Sequence, residues 1–222
     1  MRPTFLMIIP LLVSAGADAA PKGPWKRATE TGDGIIVDSR QDPKAGIGEI
    51  RAQTTLDFPP EVLMKVILDL ENYRNFMPYM KTSKVLKRQG DQIWQYCQVD
   101  APVVSMRDYT LKFKVLNPPH RTAAEVKSGK AAKAKRWKLS WQADNGAGPK
   151  KNDKYVRVEL ANGSWTFNPA AGGKKSEVWY RLLTHPGGSI PNWLANKANT
   201  RAVPDVIRAL RKQAKKAKYR LK

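Results

Sequence analysis

The residues that could do acid–base or covalent work are few in this chain and lie far apart. His120 and His185 are its two histidines, and each adjoins a proline in what reads as a turn. An imidazole becomes a general base when a neighbouring group orients it beside a nucleophile or a substrate proton. No such companion stands at a recognisable spacing, so an exposed structural role is expected for both. Cys97 is the single cysteine, which rules out an internal disulfide. Its position in an alternating stretch reads as core rather than reactive thiol. One cysteine and two distant histidines do not make a structural zinc set. Gly187-Gly188 reads as a turn, not a phosphate cradle. Arg107 and Asp108 suggest an ion pair at a strand end, either stabilising the fold or binding a ligand. No catalytic residue, metal or cofactor is expected.

The elements that would hold these residues follow from punctuation and period. A stretch 34–39, Gly-Ile-Ile-Val-Asp-Ser, and a stretch 49–56, Glu-Ile-Arg-Ala-Gln-Thr-Thr-Leu, fit strands joined through Asp42-Pro43 and Gly46-Ile47-Gly48. Pro59-Pro60 opens a helix with Val62, Leu63, Val66, Ile67 and Leu70 at helical spacing. An aromatic-rich turn or short helix follows over 72–80. From Ser83 the period becomes two: 84–87 pairs through Gly90-Asp91 with 93–99, and 107–116 carries Tyr109, Leu111, Phe113 and Val115 on one face. Further strands are expected over 122–126, 136–141, 155–160, 164–167 and 177–183. A lysine/alanine-rich patch spans 127–138, and a loop rich in glycine, lysine and asparagine spans 144–153.

The run 185–196, His-Pro-Gly-Gly-Ser-Ile-Pro-Asn-Trp-Leu-Ala-Asn, breaks the last strand because proline fixes φ and glycine admits φ that other residues avoid. Pro191 suits the first turn of a short helix bearing Trp193 and Leu194. Beyond Thr200, read as an N-cap, Val203, Val206, Ile207, Leu210, Ala214 and Ala217 share one stripe roughly 100° wide. Arg208, Arg211, Lys212, Lys215, Lys216 and Lys218 occupy the other side. Burying Val203, Val206, Ile207 and Leu210 contributes on the order of 1.5–3 kcal/mol each. Spontaneous undocking in water is therefore rare, whereas a bilayer could accept the same face. The element order, strands with helices at the two ends of a long antiparallel run, indicates an α+β domain.

Arg2 precedes an apolar run over 5–13 that is too short to span a bilayer, and Ala17-Asp18-Ala19 supplies a small-x-small cleavage pattern. Residues 1–19 read as a signal peptide and 20–222 as one domain, in a periplasmic or secreted protein. The formal charge is +21, and cleavage leaves it unchanged because Arg2 and Asp18 depart together. Such a surface favours polyanions, anionic lipid headgroups among them. Export argues against nucleic acid as the physiological partner.

Trp25, the strands at Gly34-Ile-Ile-Val and Glu49-Ile-Arg-Ala, and 69–78, Asp-Leu-Glu-Asn-Tyr-Arg-Asn-Phe-Met-Pro, together resemble bacterial members of the steroidogenic-acute-regulatory-related lipid-transfer (START) family. So do 102–109, Pro-Val-Val-Ser-Met-Arg-Asp-Tyr, the Gly163-Ser-Trp step and the 185–194 run. The resemblance spans roughly 25–212 by the order of these motifs. It implies a helix-grip fold: a curved antiparallel sheet wrapped around a long C-terminal helix, with an apolar tunnel for one lipid. It also implies an Ω-loop gate at 100–106, whose Ala101, Pro102, Val103, Val104 and Met106 are apolar; plain core packing is the alternative for that loop. Some cholesterol-carrying relatives place a tunnel arginine where Phe113 stands here. A basic insertion such as 127–153 is unusual for the family.

The reading on these grounds is an exported lipid carrier with no catalysis. Its ligand would be a phospholipid, fatty acid, sterol or hopanoid. Val103, Val104, Met106, Phe113, Trp94, Trp165, Val203, Ile207 and Leu210 are expected at the tunnel or its gate. Arg208, Arg211, Lys212 and Lys215 are expected to meet an anionic membrane. A polyanion-binding envelope protein with a filled tunnel is the alternative, and an enzyme on the same scaffold a third.

Overall fold

The computed structural model describes residues 23–101, 104–116 and 136–221. The expected leader, Val103, His120, the strand at 122–126 and most of the lysine/alanine patch lie outside the described residues. Within them the order is β1 (Lys26–Glu30), β2 (Ile36–Asp42), β3 (Ile47–Leu56), α1 (Pro60–Leu68), β4 (Met80–Gln89), β5 (Gln92–Val99), β6 (Arg107–Leu116), β7 (Trp137–Ala143), β8 (Val156–Arg157), β9 (Leu160–Ala170), β10 (Lys175–His185) and α2 (Asn192–Ala214). Alternation places β6 where it was expected, and α1 begins with Pro60 in its first turn, where the missing N–H costs nothing. The aromatic-rich segment forms a 3₁₀ turn over Leu70–Asn75.

The strands make one sheet in the order β1-β2-β3-β10-β9-β7-β6-β5-β4, antiparallel throughout, with β8 added parallel to β6. The sheet is not a closed barrel, since β1 and β4 end it. Its long hairpin β9–β10 keeps unbroken register from Lys175 opposite Ala170 to His185 opposite Leu160. One face bends around α1, the 3₁₀ turn and α2. There Val37, Ala52, Phe113, Leu139, Phe167 and Val178 meet Leu63 and Ile67 of α1 and Val203, Ile207 and Leu210 of α2. This is the helix-grip arrangement.

Two helical expectations are corrected. The chain does not break at Thr200: α2 runs unbroken from Asn192, with Pro191 as N-cap and Pro204 inside it. Proline carries no N–H, so the carbonyl one turn earlier loses its donor, a penalty the buried Pro204 bears within a packed helix. The apolar stripe also stops short of Ala217. The helix ends at Ala214, Ala217 is exposed, and Tyr219 is buried instead. Gln213 Nε2 donates to the Tyr219 hydroxyl at 2.8 Å, which donates to Asp69 at 2.6 Å.

Candidate functional site

The inner face of the sheet is a band of aromatic rings. Phe113 of β6 lies 6.0 Å from Trp141 of β7, Trp141 lies 5.7 Å from Tyr180 of β10, and Tyr180 lies 4.3 Å from Trp165 of β9. Gly163 makes the middle contact possible. It stands opposite Trp141, and a Cβ there would fall 2.2 Å from the Trp141 ring and 2.4 Å from the Arg181 carbonyl. Phe113 and Trp165 thus occupy the inner face.

Trp94 does not. On β5 the neighbours Ile93, Gln95 and Cys97 point inward, so Trp94 and Tyr96 take the outer face. There the Trp94 indole donates to Asp144 at 2.8 Å, with the Lys87 and Lys112 ammonium groups 5.1 and 5.0 Å from its ring. Trp94 is thereby removed from the tunnel residues. Apolar side chains on both faces of β5 hid the choice.

Polar groups also reach the inner space. Tyr73 donates to the Ile67 carbonyl at 2.6 Å, and Gln95 to Ser83 at 2.6 Å and the Leu70 carbonyl at 3.2 Å. The hydroxyls of Tyr109 and Tyr180 have no hydrogen-bond partner among the described residues. Among the described residues, the sealed side-chain atoms without a hydrogen-bond partner are Thr110 Oγ1 and Trp137 Nε1. Burial pushes Tyr109, Tyr180 and Tyr73 above the ordinary phenol range, and pushes the Cys97 thiol up likewise. All four stay protonated near neutrality. Cys97 is therefore not a thiolate nucleophile in this state.

The end of the inner face that follows residues 104–106 is built by Arg107 and Asp108, which do not pair with each other. Asp108 turns outward into a two-pronged bond with Arg157 of β8, at 2.8 and 2.9 Å, both side chains buried. Tyr96 adds a hydroxyl donor to Asp108 at 3.1 Å. Arg107 turns the other way. Its Nε donates to the Pro186 carbonyl at 3.2 Å and its Nη1 to the Ser105 carbonyl. It therefore joins the segment 104–106 to the Pro-Gly-Gly turn, whose Gly187 (φ 75°) rests against β8. Val104 and Met106 are half-buried in that segment.

Helix α2 closes the grip. Val203, Ile207 and Leu210 are buried as expected, and Asn192 and Asn196 fasten its first turns to the β2–β3 connection by bonds to the Gly46 carbonyl (2.5 Å) and Gly48 N–H (2.8 Å). His185 serves the same junction: its Nδ1 accepts the Gly187 N–H at 3.0 Å and its Nε2 meets Asn192 at 3.2 Å. Arg208 and Arg211 are not free cations. Both bind Asp33 of the β1–β2 turn, Arg208 at 2.9 and 3.1 Å and Arg211 at 2.8 Å. Lys212 and Lys215 remain exposed. Two surface grooves flank the helix. One of about 480 Å³ includes Phe58, Val62, Lys215 and Leu221; the other, of about 580 Å³, includes Thr29, Lys197, Arg201 and Arg208. Asp33, Arg157, Asn192 and Asn196 escaped the sequence reading; only the Gly32-Asp33-Gly34 turn left a local signal.

Comparisons with known proteins agree with this geometry. The family described as polyketide cyclase / dehydrase and lipid transport matches residues 56–211. A STAR-related lipid transfer protein fragment from Xanthomonas axonopodis superposes with a TM-score of 0.71 at 27% identity, covering 86% of this chain and 99% of that one. Human STARD10 also superposes with a TM-score of 0.71, at 16% identity over 87% of this chain and 74% of its own. An uncharacterized protein of Pseudomonas aeruginosa is 31% identical over 134 residues, 60% of this chain and 58% of that protein's length.

Proposed function

Because the chain belongs to the polyketide cyclase / dehydrase and lipid transport family, we propose that it is an exported carrier holding one hydrophobic ligand between the curved sheet and α2. The observation that carries this reading is Tyr109. Its side chain keeps accessible surface, yet its hydroxyl is strongly desolvated. We read that combination as a ring facing an enclosed space between the sheet and α2. The aromatic band of Phe113, Trp141, Tyr180 and Trp165 offers such a space apolar walls.

Loop 100–106 and α2 serve as the gate in this reading. Docking on an anionic bilayer through Lys212 and Lys215, aided by release of Arg208 and Arg211 from Asp33, would let loop and helix shift while the ligand exchanges. The exposed Trp193 and Leu194 at the start of α2 suit the bilayer interface. Carrying is preferred to catalysis because His185, the described histidine, is spent on backbone and Asn192 bonds. The family's description also covers cyclases and dehydrases, and a cyclase is the second reading.

Transfer of a fluorescent phospholipid between liposomes tests the proposal. Transfer is expected from anionic vesicles, slowing strongly as ionic strength rises from ~0.1 to ~1 M and the Debye length shrinks from about 10 to about 3 Å. Transfer indifferent to both salt and vesicle charge would refute membrane docking, and absence of transfer and of binding would refute the carrier.

A further inference from the structure

Charges taken out of water are matched across most of this protein. Asp108 is paired with Arg157, Asp38 with Arg27 and Arg51, and Glu49 with Arg40 and Arg181. Arg107 is different. It is 6% exposed, and among the described residues no carboxylate lies within 4.0 Å of it. A guanidinium offers five N–H donors in a planar fork and stays charged at any physiological pH. Two donors are used, on the Pro186 and Ser105 carbonyls. Nη2 donates to nothing among the described residues. Desolvation lowers the Arg107 pKa with no opposing pull from an acid. An unpaired buried cation is costly to keep, and a countercharge supplied by a ligand would remove that cost.

What lies beyond Arg107 on the same face of β6 gives the ligand a direction. Tyr109, two residues on, presents a hydroxyl without a partner among the described residues; Leu111 and Phe113 follow, buried and apolar. At about 3.4 Å per residue, Arg107 and Phe113 stand roughly 20 Å apart along the strand. Polarity thus falls from cation to hydroxyl to hydrocarbon along one line, starting at the Pro186 turn that precedes α2. Charges elsewhere on the strand do not blur it, since Asp108 and Lys112 point to the outer face.

We propose that Arg107 and Tyr109 receive the anionic headgroup of the bound lipid, a phosphate or a carboxylate, with its chain running inward over Leu111 and Phe113. The fork of Arg107 can make paired, charge-assisted bonds to two oxygens of either anion, while the Tyr109 hydroxyl donates a third. This rests on the carrier reading and narrows it. Fatty acids and anionic phospholipids are selected over sterols, hopanoids and diacylglycerols, which leave the guanidinium without a countercharge. If Arg107 merely joins loop to turn, its loss lowers stability but leaves ligand choice unchanged.

The test uses the full mature protein, stripped of lipid and titrated separately with oleic acid, dioleoyl phosphatidic acid, dioleoylglycerol and cholesterol, with binding read by native mass spectrometry. Phosphatidic acid is expected to bind at least about tenfold tighter than dioleoylglycerol, which shares its chains; one charge-assisted pair suffices for that ratio. Oleic acid against phosphatidic acid then tells carboxylate from phosphate. Arg107→Gln is expected to abolish the preference and Arg107→Lys to keep part of it, while Tyr109→Phe weakens the anionic lipids by a few fold. Equal binding of phosphatidic acid and dioleoylglycerol by the wild-type protein would overturn the proposal even if every Arg107 variant failed to fold. So would an Arg107→Gln protein with its preference intact. Retention of none of the four lipids would instead remove the carrier reading itself.

Discussion

Single residues here are legible by type more readily than by partner. Arg107-Asp108 reads in sequence as one ion pair, but adjacent residues of a strand face opposite sides, and each finds its own company. Asp108 meets Arg157, 49 residues away, through β8, a two-residue strand with no periodicity to announce it. Removing one member of such a buried pair strands the other. Arg157→Leu is therefore expected to cost about 3–5 kcal/mol in urea unfolding. Asp108→Asn, which leaves the Arg157 cation buried without a countercharge, should cost a similar amount; equal stability of Arg157→Leu and wild type would show the pair to be idle. Gly163 gives a second residue-level prediction. Gly163→Ala must displace the Trp141 ring or the β10 backbone, at a cost of about 1–3 kcal/mol by the same measurement.

Elements declared themselves where apolar residues recur at the period of the element. β6 and α1 are of this kind, and their periods place them. β1 is a mostly exposed edge strand without alternation, and the sequence reading passed over it. The broken C-terminal helix is an instructive miss: Thr200 reads as an N-cap that starts a second helix, yet Pro191 caps one helix of 23 residues. Asparagine bonds to the β2–β3 connection fix its start, and that partner is 146 residues distant for Asn192. The Arg208–Asp33–Arg211 clamp holds its middle. Hydrogen bonds from Arg208, then Thr31 and Arg211, keep the Asp33 carboxyl well below the usual carboxylate range. A depressed carboxyl adds stability that is fully present above its unfolded value of about 3.9 and lost as pH falls toward the folded one. Wild type should therefore exceed Asp33→Asn in urea midpoint at pH 6, with the gap closing below about pH 3. A gap that stays constant or widens on acidification would contradict the clamp. At pH 7, Asp33→Asn should raise hydrogen exchange across 192–214 by roughly twofold to fivefold, the scale of exposed ion pairs.

At the scale of the whole molecule, the ordered motifs from Trp25 to Lys212 carried the fold class, because a helix-grip needs its turn residues and aromatic strands in that sequence. The inner surface was only half readable. Phe113 and Trp165 face inward, but facing is a matter of register, and Trp94 shows that composition alone does not fix it. The central claim, that one lipid sits between sheet and helix, is tested most directly by native mass spectrometry of the protein purified from its native source, with organic extraction of what it carries. One bound lipid per chain is the result this account predicts. A protein that arrives empty, retains none of the lipids offered to it and moves none between liposomes would contradict it.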